Sequence, residues 1–597
     1  MGHSVTRSDD GAIPMVTVDG LLADRPALRG QRVIVKIDVE GNETEVIRGM
    51  ADLLGSGWVA AVIWERGREY DHPEGQERLR LLRAYFASLG FTAWYFESED
   101  AAGPLLPFTD TGRICNVFEL APGISPHASY GLPRPQPMAQ PASPILDAVF
   151  EARRGFQLGI QAQSAGKVED ALAYFAQAAA ADATLSDLYN SLGVMLFGLG
   201  RHAAATACCH RAAAMAPGDF TVWCNLGNVL RQQGKFERSE ECHARALALA
   251  PDHPSVVYNF GLLKRDQGKP EEALTAFERA LVLKPDHSAC RWDHALALLQ
   301  KGDYGQGFPA YEARWALTRG TPRKVSLPRW DGTSLEGRSI FLQDEQGFGD
   351  ILQFARFIPE VRRRGATRVV LECRPELMRL MAMAPGIDTV VPRDGSAPNC
   401  DVYAPLLSLP GLLGTTRETL PADVPYLVAP APAHALPDDG RLKLGLVWAG
   451  KATPTDRSCP LELLLPRLGD PRYAVFSLQT GPRADDLKAL GGDAFITDLG
   501  PLLEDFAETA AILAQLDLLI TVDTAAAHLA GALGVPTYLL LHHVSDWRWP
   551  GFGKSSPWYP SMTLFRQHRP KCWDGALDDL AAALGGFMPR DELRRAF

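Results

Sequence analysis

The sequence predicts a multidomain chain: a partial α/β segment first, an α-solenoid in the middle, then two successive doubly wound α/β lobes. Three observations carry this. Gly159, Gly193, Gly227 and Gly261 recur every 34 residues, a period that marks stacked helix pairs. Residues 520–540, ITVDTAAAHLAGALGVPTYLL, read strand, turn, helix, turn, strand, which is one βαβ unit of a parallel sheet. A proline-dense stretch, PGISPHASYGLPRPQPMAQPASP, separates the helical region from the α/β residues before it, because proline density favours an extended spacer. The expected division is 1–120, a linker at 121–150, repeats at 151–318, and lobes at 319–432 and 433–597.

Bulk composition narrows the function. At 597 residues the length suits about four domains, and 46% hydrophobic with 22% charged residues is ordinary for a globular protein. A net charge of −11 argues against a nucleic-acid partner, since phosphate backbones attract basic surfaces. The ten cysteines are scattered without a CxxC pair, which suits a reducing compartment and gives no zinc or disulfide framework. The start, MGHSVTRSDDGAIP, lacks an apolar leader core, and no run of about 18 uncharged apolar residues occurs. The expectation is a cytoplasmic chain with no transmembrane segment.

Within residues 1–120, VIVKIDV, WVAAVIWE and FTAWYF read as strands, with helices beginning at EGNETEVIRGMADLL and at RLRLLRAYFASLG. The segment VKIDVEGNETEVIRGM resembles the signature in the C-terminal half of FkbM-type methyltransferases, with Asp38 and Glu40 at its acidic pair. The resemblance spans roughly residues 16–118. It implies a Rossmann-like methyltransferase half, whose S-adenosylmethionine would need the cofactor-binding half that precedes the signature in that family. No Gly-rich strand–turn lies upstream of Gly11, so the segment is expected to be a remnant or a late-starting chain rather than a working O-methyltransferase.

Between residues 152 and 317 the 34-residue register also holds for Gly166, Gly200, Gly234, Gly268 and Gly302, for Ala178, Ala212, Ala246 and Ala280, and for Pro217, Pro251 and Pro285. Small residues let the two helices of a hairpin approach, and the prolines stop the second helix. This pattern resembles a tetratricopeptide array of about four full repeats and a degenerate fifth ending near Arg314. Such arrays offer a concave face to a peptide or protein partner, and can equally serve as spacers or dimerisation arms.

Past Trp330 the α/β pattern returns. SIFLQD is a strand, EQGFGD a turn, ILQFARFIPEVRRRG an amphipathic helix and RVVLEC a strand; after APAPAHALPDDG come the strands KLGLVWAG, YAVFSLQ, AFITDLG, LLITVD and PTYLLLHH. Two such lobes suggest an enzyme with a cleft between them.

Three stretches are candidates for that cleft. Around Asp350, Gly347 and Gly349 leave the backbone bare for close approach of a substrate, although an aspartate at a helix start is also an ordinary cap. In WAGKATPTDRS, Lys451, Arg457 and Ser458 could hold phosphate, or form a solvated loop. At Asp523, Thr524, Ala525, Ala526 and His528 a helix start with small side chains opens its amides to an anion; the plainer reading is a capped βαβ unit with a buried histidine. The tryptophans at 547, 549 and 558 with Tyr559 could stack on a base or sugar, with packing of the C-terminal segment the plainer alternative.

QDEQGFGDILQFARFIPE, GLVWAG, DRS, LLITVDTAAAHLAGALGVPTYLLL and DWRWPGFGKSSPWYPSMTLFRQ resemble, in order, the C-terminal region of bacterial tetratricopeptide proteins. That region is related to heptosyltransferase-type glycosyltransferases of family 9, with the GT-B fold. The resemblance covers about residues 339–587. It implies inverting, metal-independent transfer from a nucleotide-sugar, with Asp350 as general base and the stretch from Asp523 to His528 binding the donor. Lys451 or Arg457 would help the helix amides stabilise the leaving diphosphate. Ala525 stands where the family has glycine, which implies a tighter phosphate approach.

The leading expectation is a glycosyltransferase acting on a protein or glycan acceptor recruited by the repeats. O-linked N-acetylglucosamine transferases share this layout, an analogy only. The rivals are a non-catalytic repeat scaffold and an S-adenosylmethionine-dependent methyltransferase fusion. No permanently bound cofactor and no metal are expected; the nucleotide-sugar would be a substrate.

Overall fold

In the computed structural model the described residues are 144–317, 325–393, 398–451, 456–549, 551 and 553–588, together with five strands in the first 120 residues. Asp38 and Glu40 lie outside them. Two compact units divide the chain, Met1–Leu192 and Gly193–Phe597. Among the described residues no helix is long and apolar enough to cross a membrane.

In the first unit, strands β1 (Val33–Ile37), β2 (Val59–Arg66), β3 (Thr92–Phe96), β4 (Leu105–Pro107) and β5 (Cys115–Leu120) form a sheet in the order β1-β2-β5-β3-β4. The first three match the sequence expectation. β5 inserts antiparallel between β2 and β3, so the sheet is mixed, with β1 and β2 its parallel pair. Helices α1 (Pro144–Ser164) and α2 (Val168–Ala181) follow. The ring of Phe175 lies where a side chain on Gly159 would project, which is why glycine is needed there.

The helical register continues through α3 (Ser186–Gly198), α4 (His202–Met215), α5 (Phe220–Gln232), α6 (Phe236–Leu249), α7 (Pro254–Asp266), α8 (Pro270–Leu283), α9 (Ser288–Lys301) and the short α10 (Tyr304–Ala310). Pro217, Pro251 and Pro285 each fall just beyond the end of a second helix, as the spacing predicts. Gly166, Gly200, Gly234, Gly268 and Gly302 all have φ between +72° and +87°, the left-handed turn that ends a helix and that glycine adopts without strain. Asp219 caps α5 by accepting the Thr221 N–H at 2.7 Å. The fifth pair is truncated: α10 contains Pro309 and passes at once into a 3-10 turn, Tyr311–Ala316.

Two parallel sheets complete the second unit. The smaller joins β6 (Ser339–Gln343), β7 (Arg368–Cys373), β8 (Thr389–Pro392) and β9 (Val402–Pro405) in the order β8-β7-β6-β9. The larger joins β10 (Leu442–Val447), β11 (Tyr473–Ser477), β12 (Ile496–Asp498), β13 (Leu518–Val522), β14 (Thr537–Leu541) and β15 (Met562–Arg566) in the order β12-β11-β10-β13-β14-β15. β15 is a strand the sequence reading leaves out; MTLFR lies in a proline- and aromatic-rich stretch that hides its alternation. Along β13, Leu518, Ile520 and Val522 face one core and Leu519 the other, as expected for a parallel strand covered on both faces.

The stretch ILQFARFIPEVRRRG departs from expectation. It forms α11 (Phe348–Phe354), a 3-10 turn and α12 (Ile358–Arg363), with Pro359 in the first turn of α12. Its middle is buried throughout, including Arg356 at 3% exposure. The Arg356 guanidinium donates to the carbonyls of Pro421 and Trp558 and lies 4.7 Å from the Tyr559 ring. One face cannot stay polar because the C-terminal aromatic segment covers it. A single core runs from Leu299, Tyr304 and Phe308 of the last repeat through Ile351 and Leu371 to Leu519, Leu539, Trp549 and Trp558. The last repeat and both sheets are therefore one packed body.

Candidate functional site

At the carboxyl end of β13 the chain turns through Asp523 and Thr524 into α15, with α13 (Pro375–Met381) and α14 (Phe506–Leu513) preceding it and α15 spanning Ala525–Leu533. Thr524 is the N-cap residue, and its side chain makes no capping hydrogen bond; its hydroxyl instead lies 3.2 Å from that of Thr521. Ala525 and Ala526 put only methyl groups in the first turn, so little shields the amides there. Asp523 is buried and accepts from Arg457 at 2.5 Å. Gly450 of the WAG turn lies against the Thr524 methyl, and Gln479 fixes that turn by accepting the N–H groups of Trp448 and Ala449. Ser458 braces the turn from within, its hydroxyl accepting the Gly450 N–H at 3.3 Å. Lys451 is exposed, next to residues 452–455, which lie outside the described set.

Asp350 sits in the first turn of α11, with Gly347 as N-cap. One carboxylate oxygen accepts the Gly347 N–H at 2.8 Å, the reciprocal half of a capping box. The other accepts from Arg548 at 2.6 Å. Arg548 is buried; it also donates to Asp546 at 2.8 Å and to Gln353 at 2.5 Å. Sequence reasoning missed Arg548, although it lies inside the DWRWPGF motif, because the neighbouring tryptophans drew attention to stacking. Trp549, Trp558 and Tyr559 are fully buried, so packing is their role.

Gly349 is where α11 meets α15. A Cβ there would stand 2.7 Å from His528 Cδ2. His528 is held by Tyr559, whose hydroxyl is 2.9 Å from Nδ1, and by stacking on Trp549. Burial, with Arg548 adding to it, pushes its pKa down to about 3, so the ring is neutral at physiological pH. The plain reading of a buried packing histidine fits it. The cleft expected between the lobes is thus filled at α11 and α15.

The open space lies elsewhere. A cavity of about 480 Å³ opens beyond the carboxyl ends of β13 and β14, with Arg457 and Asp523 at its base. His542, Ser545, Asp546 and Trp547, from the loop after β14, form one flank. Arg265, Leu296 and Gln300 of α7 and α9 form the other. Its volume falls within the roughly 300–1,000 Å³ of small-ligand sites. Of the sequence-predicted residues the cavity gathers Arg457, Asp523 and Trp547; Asp350 connects to it through Arg548 and Asp546. Thr524, Ala525, Ala526, Ser458, Lys451, Gly347, Gly349 and His528 are not among its lining residues.

Comparison with known proteins bears on the repeats. Models of the tetratricopeptide repeat match residues 218–286, and residues 156–220 and 258–322. Protein FlbA of Caulobacter vibrioides is 27% identical over 324 residues, covering 49% of this chain and 54% of FlbA. The chain thus spans about half the length of the curated relative it matches. PilF of Pseudomonas aeruginosa is 22% identical, covering 28% of this chain and 77% of that one at a TM-score of 0.26. TTC0263 of Thermus thermophilus is 19% identical, covering 28% and 93% at 0.26, and MamA of Desulfovibrio magneticus 18%, covering 29% and 98% at 0.26. The chain contains tetratricopeptide repeats, here continuous with two parallel-sheet lobes.

Proposed function

We propose that the chain is a glycosyltransferase of the GT-B type, in which the repeats recruit a protein or glycan acceptor and the two parallel-sheet lobes transfer a sugar from a nucleotide-sugar. The observation that carries this reading is the cavity at the carboxyl ends of β13 and β14, with the Asp523–Arg457 pair at its base. Ligands of open α/β sheets bind outside those strand ends. Arg457, which lines that cavity, takes up the negative charge that develops on the departing diphosphate. Asp350 removes the proton of the acceptor hydroxyl, a role typically worth ~10²–10⁴ in rate. Each of its oxygens accepts one hydrogen bond and keeps a lone pair for that proton.

That same pairing favours a second reading. A carboxylate held by a buried arginine and a backbone N–H is also what a purely structural capping residue looks like, and the repeats alone would then act as a scaffold for protein partners. Titration calorimetry of the full chain with UDP-, GDP-, ADP- and CMP-sugars separates the two. The transferase reading expects one nucleotide class to bind in the micromolar range and Arg457→Ala to weaken it by about tenfold, the loss of one charge-assisted contact. No binding by any of the four leaves the scaffold reading.

A further inference from the structure

The repeats are expected to hold an acceptor at a distance from the chemistry, yet α7 and α9 supply one wall of the cavity itself. Arg265 and Gln300 stand in the last turns of these two helices, and Leu296 one turn before Gln300. The Arg265 guanidinium is held by two carboxylates. Nε and Nη2 donate to Asp266 at 3.0 Å, and Nη1 to Asp293 at 2.5 Å. The side chain is still 22% exposed. Three of its five N–H groups are engaged in these bonds, which leaves donors on Nη1 and Nη2. Arg457, across the cavity, pairs with Asp523 and keeps 43% of its side chain exposed.

The polar groups are unevenly committed. Asp523 is taken by Arg457, and Asp546 shares Arg548 with Asp350, so each carboxylate facing the cavity already has an arginine partner. The donors still available are the guanidinium edges of Arg265 and Arg457 and the amide of Gln300. A cavity whose acids are paired and whose open groups are donors suits an anion with several oxygens. Arginine forks match phosphate oxygens particularly well.

We propose that this cavity is a nucleoside-diphosphate site completed by the repeat array: the phosphates of the donor lie between Arg457 on the sheet side and Arg265 with Gln300 on the repeat side. The inference rests on the transferase reading and deepens it. The repeats are then part of the donor pocket, and a chain lacking them lacks a wall of that pocket. Leu296 closes the wall beside the two donors.

Calorimetry of the full chain with UDP, GDP, ADP and CMP, and with inorganic diphosphate, tests this. Leu296→Trp, which fills space at a half-buried position, is expected to weaken the nucleotide that binds by tenfold or more, and Gln300→Ala by about threefold, one neutral hydrogen bond. Arg265→Lys keeps the charge beside Asp266 and Asp293 but loses the fork; it is expected to weaken binding by about tenfold. Should that variant unfold, the other two decide, each checked for an unchanged thermal transition. If the wild-type chain binds a nucleotide, Arg457→Ala weakens it, and both Leu296→Trp and Gln300→Ala bind within twofold of wild type, the repeat wall is no part of the site and this inference fails while the donor site stands. If none of the five probes binds the wild-type chain, the donor reading fails and takes this inference with it.

Discussion

The ring of His528 occupies the space into which any side chain on Gly349 would grow, 2.7 Å from the first carbon it would add. His528 cannot yield cheaply, because Tyr559 holds one ring nitrogen and Trp549 one face. Gly349→Ala is therefore expected to destabilise the fold by about 1–3 kcal/mol, the usual cost of one methyl too many in a packed core. Chemical denaturation would measure it. An unchanged midpoint would mean that α11 and α15 are not pressed together as described.

Asp350 bears on both chemistry and structure. Asparagine at this position cannot act as a base and keeps one acceptor oxygen, enough for either the Gly347 N–H or Arg548 but not both, so one of those two hydrogen bonds is lost. Asp350→Asn is expected to lower sugar transfer by at least ~10² while nucleotide affinity stays within a few-fold. Transfer at the wild-type rate would remove Asp350 from the mechanism.

The repeats were legible because every hairpin contact recurs at one spacing: glycine at 159, 193, 227 and 261, and its partner sixteen residues on. β6, β7 and β10 to β14 were legible because continuous apolar runs between turns are what doubly covered parallel strands require. The site was less so. Arg548 and Asp350 lie 198 residues apart, and local pattern carries no information about such pairs. The repeat wall of the cavity was invisible for a related reason. Arg265 at a helix end reads as a partner for the helix dipole and for Asp266, and its second role depends on how the array packs on the lobes.

Position 243 breaks the repeat's own rule. The residue facing the hairpin glycine is Phe175, Cys209, His243 and Phe277 in successive repeats. His243 is fully buried, and neither ring nitrogen has a hydrogen-bond partner among the described residues. Burial, with a contribution from Arg231, lowers its pKa from 6.5 to about 4. A histidine with a depressed folded pKa binds its proton more tightly when unfolded. Stability is therefore lost as pH falls from about 6.5 towards 4, by roughly 3 kcal/mol in all. His243→Phe, the residue two sister repeats use, is expected to stabilise the chain at pH 7 by about 1–3 kcal/mol and to flatten that part of the acid limb. Equal pH slopes in the two chains between pH 6.5 and 4 would refute the assignment.

Asp344 has the opposite sign. Its carboxylate is fully buried at the end of β6, without a hydrogen-bond partner among the described residues. Arg393 and Arg374 approach only to 3.5 and 3.8 Å. Burial outweighs both arginines and raises its pKa from 3.8 to about 6. A carboxyl whose folded pKa is raised favours the fold while protonated, and that contribution is lost as pH rises from about 4 through 6. At pH 7 the ionised group costs roughly 3 kcal/mol relative to its unfolded state. Asp344→Asn keeps the shape and removes the charge, so it is expected to stabilise the chain at pH 7 and to lose that advantage below about pH 4. Denaturation midpoints of the two chains should converge on acidification; a gap that stays constant from pH 7 to 4 would mean that Asp344 titrates alike in the folded and unfolded chains and that burial does not raise its pKa.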